Sequence, residues 1–291
     1  MKLSLCIATF NEEENIHYPL DSAYDLVDEV VIVDGGSTDK TVEKAKAYGK
    51  KVRVFIEKNP AMFHINKQKA IERAKGEWIL QLDADEALSN ELKEEIKNIV
   101  GVGLDRPEKR AIQESPLQKR KFFPSPSSKV AYSIPRKNFF LTRFLTKGGQ
   151  YPDYTIRLYK NGAVRFPCRS IHENVTIDTS IVIPSERSES RDLVKTGQIG
   201  YLKSPILHFA DPNFSRYLRR WDRYTTLDAQ MLVKEGKKPS FISYLFIKPA
   251  AWFFSTYFRH LGFVDGISGF IFSLFSSLRF WKIYFKWRKM R

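Results

Sequence analysis

The chain has 291 residues, of which 43% are hydrophobic and 28% charged, so it holds enough apolar material for a folded core. This composition excludes a disordered or collagen-like chain, and two cysteines, Cys6 and Cys168, are too few for a disulfide-stapled scaffold. The net charge of +15 is uneven: residues 1–100 carry 14 basic and 19 acidic side chains, whereas residues 101–291 carry 34 basic and 14 acidic ones. This asymmetry predicts a site built with carboxylates in the first part and contact with something anionic in the second.

Strand patterns alternate with helix patterns through residues 1–100. Short apolar, β-leaning runs predict four strands, at residues 3–9, 29–34, 52–56 and 77–83. Helices are predicted at residues 40–48, at residues 66–75 and after the N-cap Ser89. Pro19 predicts that a helix beginning near Glu12 is broken or restarted there. Because continuous apolar runs suit strands covered on both faces, the pattern predicts an α/β fold with an open, mostly parallel sheet and helices on both faces.

The composition changes after residue 100. Gly, Pro, Ser and basic residues dominate residues 101–138, which predicts a flexible basic insertion. Short β-like pieces occur in residues 139–211, and residues 212–291 form a basic and apolar extension with helical patterns. Residues 241–278 are the most apolar stretch of this extension. Since no unbroken run of ~18 apolar residues occurs, the sequence argues against an ordinary transmembrane helix.

Acidic side chains stand at the ends of three predicted strands. These ends lie at residues 9–13, 34–39 and 83–86, and the carboxyl ends of parallel strands meet at one rim, where ligands of such sheets bind. Asp83 and Asp85 have no basic residue beside them in the sequence, so they repel each other unless a cation joins them. Carboxylate oxygens select Mg²⁺ or Mn²⁺, which bridge to substrate phosphates. The alternative is a surface turn in which the acidic residues favour the start of the next helix.

Three segments, in order, resemble the family 2 glycosyltransferases. They are residues 9–13 (TFNEE), 33–41 (VDGGSTDKT) and 76–86 (GEWILQLDADE). The resemblance is closer to the bacterial subgroup that builds the lipopolysaccharide core, such as the heptose-specific β-1,4-glucosyltransferases. It covers residues 1–100 and, more loosely, residues 134–280. It implies the Rossmann-like GT-A fold, sugar transfer with inversion and a divalent cation, Mg²⁺ or Mn²⁺.

The resemblance also implies the parts of the donor site. The nucleotide-sugar pocket would be lined by Thr9, Asn11, Glu12, Asp34, Gly35, Ser37, Lys67, Asp83, Ala84 and Arg157. Within it, Asp34 would hold the base, and Asp83 would touch the ribose or the metal. Asp85 would bind the metal that bridges the diphosphate, and His208 would reach the diphosphate or that metal. The alternatives are a solvated helix face for Lys67 and a satisfied core position for His208.

Inverting transfer needs one carboxylate that takes the proton of the acceptor hydroxyl. Residues 171–174 (IHEN) resemble a His-Glu pair of the subgroup, and residues 151–159 (YPDYTIRLY) resemble the segment after its acceptor loop. Glu173 is therefore the first candidate for the base and Asp153 the second. The alternatives are an ion pair at a strand end for Glu173 and a turn residue after proline for Asp153.

On this resemblance the chain divides into a nucleotide-sugar-binding half (1–100), the insertion (101–138), an acceptor-binding half (139–211) and the C-terminal extension (212–291). We expect a hexose to move from a nucleotide-diphosphate sugar, with a UDP-sugar favoured, to a saccharide or lipid-linked acceptor in lipopolysaccharide core or other envelope glycan synthesis. A sugar nucleotidyltransferase is the alternative, although residues 10–14 lack the glycine-rich basic loop that holds a triphosphate. A nucleic-acid-binding protein is a weaker one, and we expect no nucleic-acid partner because the basic residues alternate with apolar runs.

Residues 279–291 contain six basic residues, no acidic residue, and interleaved aromatic and aliphatic side chains. On a helix, such a segment lays its apolar groups in the headgroup boundary while its cations meet anionic lipid. This predicts peripheral attachment to an anionic membrane surface, the cytoplasmic face of the inner membrane. The preceding stretch, residues 241–278, would add interfacial helices broken at Pro249 and at residues 262–269. The alternative is that this stretch closes the core or forms a dimer interface.

Overall fold

The computed structural model describes residues 1–60, 62–101, 129–168, 175–177 and 198–291. Contacts divide the chain into two compact units. Unit 1 contains Met1–Ile134 and Tyr154–Ile206, and unit 2 contains Pro135–Asp153 and Leu207–Arg291. The segment expected to be one acceptor-binding half, residues 139–211, is therefore shared between the units. The division falls within the strand Ala131–Phe140, between Ile134 and Pro135. Composition can indicate a linker between units, but it gives no signal for a division inside a strand.

Unit 1 is built on a mostly parallel sheet whose first four strands confirm the predicted ones. They are β1 (Leu3–Thr9), β2 (Glu29–Asp34), β3 (Val52–Ile56) and β4 (Trp78–Gln81). Strands β3, β2, β1 and β4 lie side by side in this order, and each neighbouring pair is parallel. The register pairs Thr9 with Asp34, so β1 and β2 end together. The strand ends expected to share one rim therefore do so for β1 and β2, and the function of this rim stays a prediction.

The remaining strands are shorter or lie later in the chain. They are β5 (Glu86–Leu88), β6 (Ala131–Phe140), β7 (Arg143–Phe144), β8 (Asp153–Lys160), β9 (Val164–Arg165), β10 (Thr176–Ile177), β11 (Ile199–Tyr201) and β12 (Ile206–Asp211). Strand β8 runs antiparallel to β4, with Leu158 opposite Leu80, and β11 pairs in parallel with the start of β6. Since β6 begins at Ala131, the end of the predicted flexible insertion at residue 138 was placed too late.

Among the described residues of unit 1, four helices cover the sheet: α1 (His17–Ala23), α2 (Thr41–Ala47), α3 (His64–Glu72) and α4 (Asn90–Val100). Helix α1 begins two residues before Pro19, so the proline falls in the first turn, where its missing N–H costs no helical bond. This confirms a restart near Pro19. The Ser89 hydroxyl accepts a hydrogen bond from the Leu92 N–H at 3.2 Å, which confirms the predicted cap of α4.

The core of unit 1 lies on both faces of the sheet. Side chains of β1 alternate between two buried clusters: Leu3, Leu5 and Ile7 join one, and Cys6 joins the other. Helices α1 and α4 contribute Leu20, Leu92 and Ile96 to the first cluster, and α3 contributes Ala70 and Ile71 to the second. Burial on both faces explains why these strands are continuously apolar, and it confirms the predicted layering.

Unit 2 is mainly helical. It contains α5 (Phe214–Lys234), α6 (Lys248–Phe253) and α7 (Gly266–Met290), with π-helical turns at Ser243–Ile247 and Phe254–Arg259 and a 3₁₀ turn at Gly262–Asp265. The predicted break at Pro249 is wrong, because the chain is helical on both sides of this residue. Proline lacks the N–H that would bond the Leu245 carbonyl, and the Trp281 indole N–H donates to that carbonyl instead, at 2.6 Å.

The predicted break at residues 262–269 is confirmed. The helical segment ends at Arg259, Leu261 adopts a left-handed backbone with φ of 58°, and α7 begins at Gly266. The buried carboxylate of Asp265 fixes this corner, since it accepts hydrogen bonds from the N–H groups of Thr146 and Lys147 at 2.9 and 2.8 Å.

Within the described part of the chain, the stretch Gly262–Met290 is long and apolar enough to cross a membrane by length and composition. Only 28% of its most apolar window is buried inside the protein. The sequence criterion, an unbroken run of apolar residues, missed this stretch because its mean hydropathy is high even though polar residues interrupt it.

Candidate functional site

The loop after β2 is organised by one carboxylate. Asp34 is fully buried and accepts four hydrogen bonds: from the Thr9 hydroxyl (2.8 Å), the Gly36 N–H (3.0 Å), and the Ser37 N–H and hydroxyl (2.7 and 2.5 Å). Gly36 has φ of 82°, a left-handed conformation that favours glycine. The sequence interpretation gave Asp34 the contact with the base. In the structure its oxygens hold the loop in shape, and its contact with a base stays a prediction.

The loop after β1 is locked to the same place. Asn11 adopts φ of 53°, which asparagine tolerates better than most residues. Its N–H donates to the Ser37 hydroxyl and its side-chain oxygen accepts from the Thr38 N–H, both at 2.8 Å. Gly35 lies against Asn59, where an added Cβ would come within 3.0 Å of the Asn59 Cβ. The two loops thus form one preorganised wall.

Glu12 adds a further hydrogen bond between the segments that follow β1 and β2. Its N–H donates to the Thr41 hydroxyl at 2.8 Å, and its carboxylate accepts from the Asn15 amide at 2.6 Å. The structure therefore brings together six residues predicted to line a nucleotide pocket, Thr9, Asn11, Glu12, Asp34, Gly35 and Ser37.

A second cluster forms at the end of β4. Asp83 makes ion pairs with Lys67 from α3 through Oδ1 and with Arg157 from β8 through Oδ2, the latter at 2.9 Å. The same guanidinium donates to Glu86 Oε1 at 2.8 Å and to the side-chain oxygen of Gln81. The antiparallel register places Arg157 one residue from Leu158, the partner of Leu80, and so beside Gln81. The pairing of β8 with β4 therefore builds the cluster.

The cluster is largely buried, with the Asp83 side chain 25% exposed, and its charges are balanced. Lys67 is 7% exposed, Arg157 is 4% exposed and Glu86 is fully buried. Burial alone would raise the pKa of Asp83, but the Arg157 and Lys67 cations hold it well below its ordinary value. Burial lowers the pKa of the Lys67 amine, although Asp83 opposes this shift. Two cations and two carboxylates compensate each other, which is the condition under which buried charges are tolerated.

The metal prediction changes in the light of this cluster. Asp83 has no basic neighbour in the sequence, but the fold supplies two, so no metal is required to relieve its repulsion from Asp85. Among the described residues, no three His, Cys, Asp or Glu side chains come together as a metal-binding group. Asp85 is half-buried in the turn between β4 and β5, and Ala84 is buried in the core of unit 1.

The remaining predicted residues belong to unit 2 or lie outside the described residues. Asp153 is in unit 2, where the Arg136 Nε and Nη2 donate to its Oδ2 at 3.1 and 2.6 Å. His208 is also in unit 2, and its Nδ1 lies 2.7 Å from the Asn138 side-chain oxygen. Its contact with a diphosphate or a metal stays a prediction. Glu173 lies outside the described residues.

Sequence reasoning gave no role to Gln81 or Glu86. Both fall in the segment 76–86, and Gln81 is the polar residue of an otherwise apolar strand. A buried amide in such a strand must find a hydrogen-bond partner, and this signal points to a polar cluster at the strand end.

The comparisons with known proteins agree with this arrangement. A family model described as glycosyl transferase family 2 matches residues 4–103. The chain is 30% identical over 286 residues to an "uncharacterized glycosyltransferase" of Rickettsia bellii, covering 97% of this chain and 85% of that protein. It is 26% identical over 276 residues to the lipopolysaccharide core biosynthesis glycosyltransferase LpsC of Rhizobium meliloti, covering 93% and 86%.

A solved structure shares the fold. It is the mannosyltransferase PcManGT from Pyrobaculum calidifontis, in complex with GDP-Man and Mn²⁺, with a TM-score of 0.51 and 13% identity over 100% of this chain and 88% of that one. The predicted GT-A fold is thereby confirmed. The shared fold, the family match to the segment that carries the strand-end motifs, and the full-length relatives together identify the family. The chain belongs to the family 2 glycosyltransferases.

Proposed function

We propose that this enzyme transfers a hexose, with inversion, from a nucleotide-diphosphate sugar to a saccharide or lipid-linked acceptor in envelope glycan synthesis. The observation that carries the proposal is the preorganised rim of unit 1, where the Asp34 loop and the Asp83 cluster follow the ends of β2 and β4. The relative LpsC, named for lipopolysaccharide core biosynthesis, supports an acceptor of that class. A nucleotidyltransferase is disfavoured because the relatives are glycosyltransferases.

In this proposal the two loops receive the nucleoside, with a UDP-sugar favoured. Thr9, Asn11, Glu12, Gly35 and Ser37 form the wall, and Asp34 is a positioning residue that keeps it in shape. Preorganised polar groups cost little ordering on binding. Lys67, which pairs with Asp83, is assigned to the diphosphate by the family resemblance alone, and Arg157 positions Asp83 and Glu86.

The residues fit a divalent cation that is shared with the donor. In this proposal Asp85 binds Mg²⁺ or Mn²⁺, as the family resemblance implies, while Asp83 pairs with Lys67 and Arg157. Mg²⁺ is usually held by one or two carboxylates together with substrate phosphates, so a complete protein cage is not needed. When bound, the cation would offset the charge that develops on the departing diphosphate.

The metal proposal is tested with Asp85→Asn in the full chain, assayed for transfer or hydrolysis of UDP-glucose with Mn²⁺ and with EDTA. We expect activity to fall by ~100-fold or more in the variant and in EDTA, with the melting temperature unchanged. Asp25→Asn makes the same chemical change at an exposed position of unit 1 and should keep full activity. Full activity of Asp85→Asn, or of the parent in EDTA, would overturn the proposal.

For the base we propose Glu173, with Asp153 as the second candidate. The base accepts the proton of the acceptor hydroxyl while that oxygen bonds to the anomeric carbon and the diphosphate leaves. Glu173→Gln should lower transfer by ~100-fold or more while donor binding persists. Asp153, already engaged by Arg136, should tolerate Asp153→Asn better. If Asp153→Asn is inactive and Glu173→Gln is active, the assignment passes to Asp153.

We further propose that unit 2 attaches the enzyme peripherally to the cytoplasmic face of the inner membrane. Eleven large apolar side chains between residues 241 and 267 are exposed: Phe241, Ile242, Phe246, Ile247, Trp252, Phe254, Phe258, Leu261, Phe263, Val264 and Ile267. So much exposed apolar area is rare on a protein that has no partner for it.

Sedimentation with liposomes tests the attachment. Phe246→Ser/Phe254→Ser should weaken binding to liposomes at every lipid composition, because both side chains are more than half exposed. Tyr201→Ser is the control, an exposed aromatic residue of unit 1. Equal binding by the double variant, together with a dimer in solution that the variant disrupts, would show that these side chains form a subunit interface.

A further inference from the structure

One face of α7 forms a groove whose lining differs from the exposed side chains at residues 241–267. The α7 groove has a volume of about 870 Å³ and lies between α7 and Trp221 of α5. Its apolar lining includes Trp281 and Phe285, which are 44% and 50% exposed. Exposed aromatic side chains in a concave surface of this size are typical of a binding site for a small amphiphilic molecule.

The groove is anchored to a rigid support. Ile283, Tyr284 and Trp287 of α7 are buried in a cluster with Ala229 of α5. The Trp221 indole N–H donates to the Phe275 carbonyl at 3.1 Å. Helix α7 is thus fixed against α5 along its length, so the exposed position of Trp281 and Phe285 follows from packing on the other side of the helix.

The polar lining of the groove is entirely cationic. It consists of Lys282, Lys286, Arg288 and Lys289, and no acidic residue lines it. Lys282 and Lys286 pair with Asp222 at 2.6 and 2.8 Å, whereas Arg288 and Lys289 are exposed at the end of the helix. Even with Asp222 counted, the local charge is +3. The groove therefore favours a ligand with both an anionic group and an apolar portion.

We propose that the α7 groove is a discrete binding site for one anionic lipid. Arg288 and Lys289 bind the phosphate of the headgroup, and Trp221, Trp281 and Phe285 contact the first methylenes of the chain. Arginine suits this role because its planar fork can donate two parallel hydrogen bonds to a phosphate. Lys282, stacked over the Trp221 ring at 4.7 Å, joins the cationic and aromatic linings. This inference rests on the proposed attachment of unit 2 to a membrane, and it adds a saturable site to it.

A lipid fits the groove better than a nucleic acid. Basic and aromatic residues also occur together in single-strand binders, where bases stack on the aromatic rings. The groove, however, lies on a helix whose stretch Gly262–Met290 has the length and composition of a membrane segment, and most of that segment is not buried inside the protein. Cations at the end of such a helix are positioned for headgroups.

The test uses lipid monomers, which separate a discrete site from general adhesion to a bilayer. Dihexanoyl phosphatidic acid, below its critical micelle concentration, is titrated into the full chain and followed by tryptophan fluorescence and calorimetry. We expect saturable binding of one molecule. Dihexanoyl phosphatidylcholine, inorganic phosphate and an oligothymidylate should each bind at least ~10-fold more weakly.

Variants assign the binding to the groove. Arg288→Gln/Lys289→Gln should weaken it about 30-fold, which corresponds to two cations at ~1 kcal/mol each. Phe285→Ser should also weaken it, whereas Lys46→Gln/Lys50→Gln, the same change at two exposed lysines of unit 1, should not. Non-saturable binding, equal binding of phosphatidylcholine or phosphate, or tighter binding of the oligothymidylate would overturn the proposal. If liposome binding and transfer persist in that case, the proposed function stands without this site.

Discussion

Each unit of this protein contains an aspartate that lies between two cations, and the two sites differ in how far water reaches them. In unit 1, Asp83 lies between Lys67 and Arg157; in unit 2, Asp222 lies between Lys282 and Lys286. Around Asp83, which is 25% exposed, the cation side chains are 8% and 5% exposed; around Asp222, which is 53% exposed, they are 35% and 18% exposed. The comparison predicts that burial, rather than the number of ion pairs, decides how strongly the charges of such a cluster are coupled.

Both carboxylates have a lowered pKa, for different reasons. Hydrogen bonds from Lys282 and Lys286 lower the pKa of Asp222 to about 2, with little opposition from burial. At Asp83, burial opposes ionisation and the two cations outweigh it. Water and salt therefore compete with the ion pairs of the exposed cluster. In the buried cluster, the loss of one charged side chain leaves its partner buried without compensation, which strongly destabilises the fold.

The largest effect is expected for Arg157→Gln. Removing the guanidinium takes a charged partner from both Asp83 and Glu86, and breaking a buried pair in this way costs about 3–5 kcal/mol of stability. Urea unfolding of the full chain measures it. Lys97→Gln, which breaks an exposed pair with Glu94 on α4, is the control and should stay within about 0.5 kcal/mol. A loss below about 1 kcal/mol for Arg157→Gln would mean that water reaches this cluster.

The next effect is the coupling between Lys67 and Asp83. A double-mutant cycle with Lys67→Met and Asp83→Asn should give a coupling free energy of about 2 kcal/mol, because the pair is shielded from solvent. The coupling should change little between 0.1 and about 1 M salt, since buried pairs are screened weakly. A value near zero would contradict the difference drawn between the two clusters.

A double-mutant cycle on the exposed pair of unit 2 should give a smaller coupling free energy. Lys282→Met and Asp222→Asn are expected to couple by less than about 1 kcal/mol, as exposed pairs do. At about 1 M salt, where the screening length is roughly 3 Å, most of this coupling should disappear. Coupling that equals the value for Lys67 and Asp83 would show that exposure does not separate the two clusters.

The smallest effect is the acid response of Asp222. Its folded pKa lies below the ordinary value of 3.8, so its contribution to stability is fully present above about pH 4 and is lost as the pH falls towards 2. The melting temperature of the parent should exceed that of Asp222→Asn slightly at pH 5, and the difference should vanish near pH 2. If the difference in melting temperature grew as the pH fell, the pKa of Asp222 could not be lowered in the folded state, and the prediction would be wrong.

Much of unit 1 could be read from the sequence. The bounds of β1, β2 and β3 and the cap of α4 at Ser89 follow from local patterns, because burial on both faces and helix capping need only neighbouring residues. The strand-end motifs also pointed to the rim where the Asp34 loop and the Asp83 cluster lie. In unit 2, the start of α7 after a glycine-rich break was predictable for the same reason.

The partners across long separations were not predictable in this way. Arg157 contacts Asp83, which lies 74 positions earlier in the chain. The Trp281 indole donates to the carbonyl of Leu245, 36 positions earlier, which Pro249 leaves without a donor. The resemblance named Arg157 and Lys67, but only the fold shows that both are spent on Asp83 and that Asp34 is enclosed by its own loop.

The sequence by itself determined the family, the order of the strands and helices in residues 1–100 apart from the short strand β5, and the rim at which the candidate site lies. The tertiary structure decided which charges neutralise one another, whether Pro249 breaks a helix, and which face of α7 stays exposed. The physical reason is the range of the interactions. Periodicity, caps and turns act within a few residues, whereas the pairing of β8 with β4 and the packing of α7 on α5 bring together groups whose separation along the chain carries no local signal.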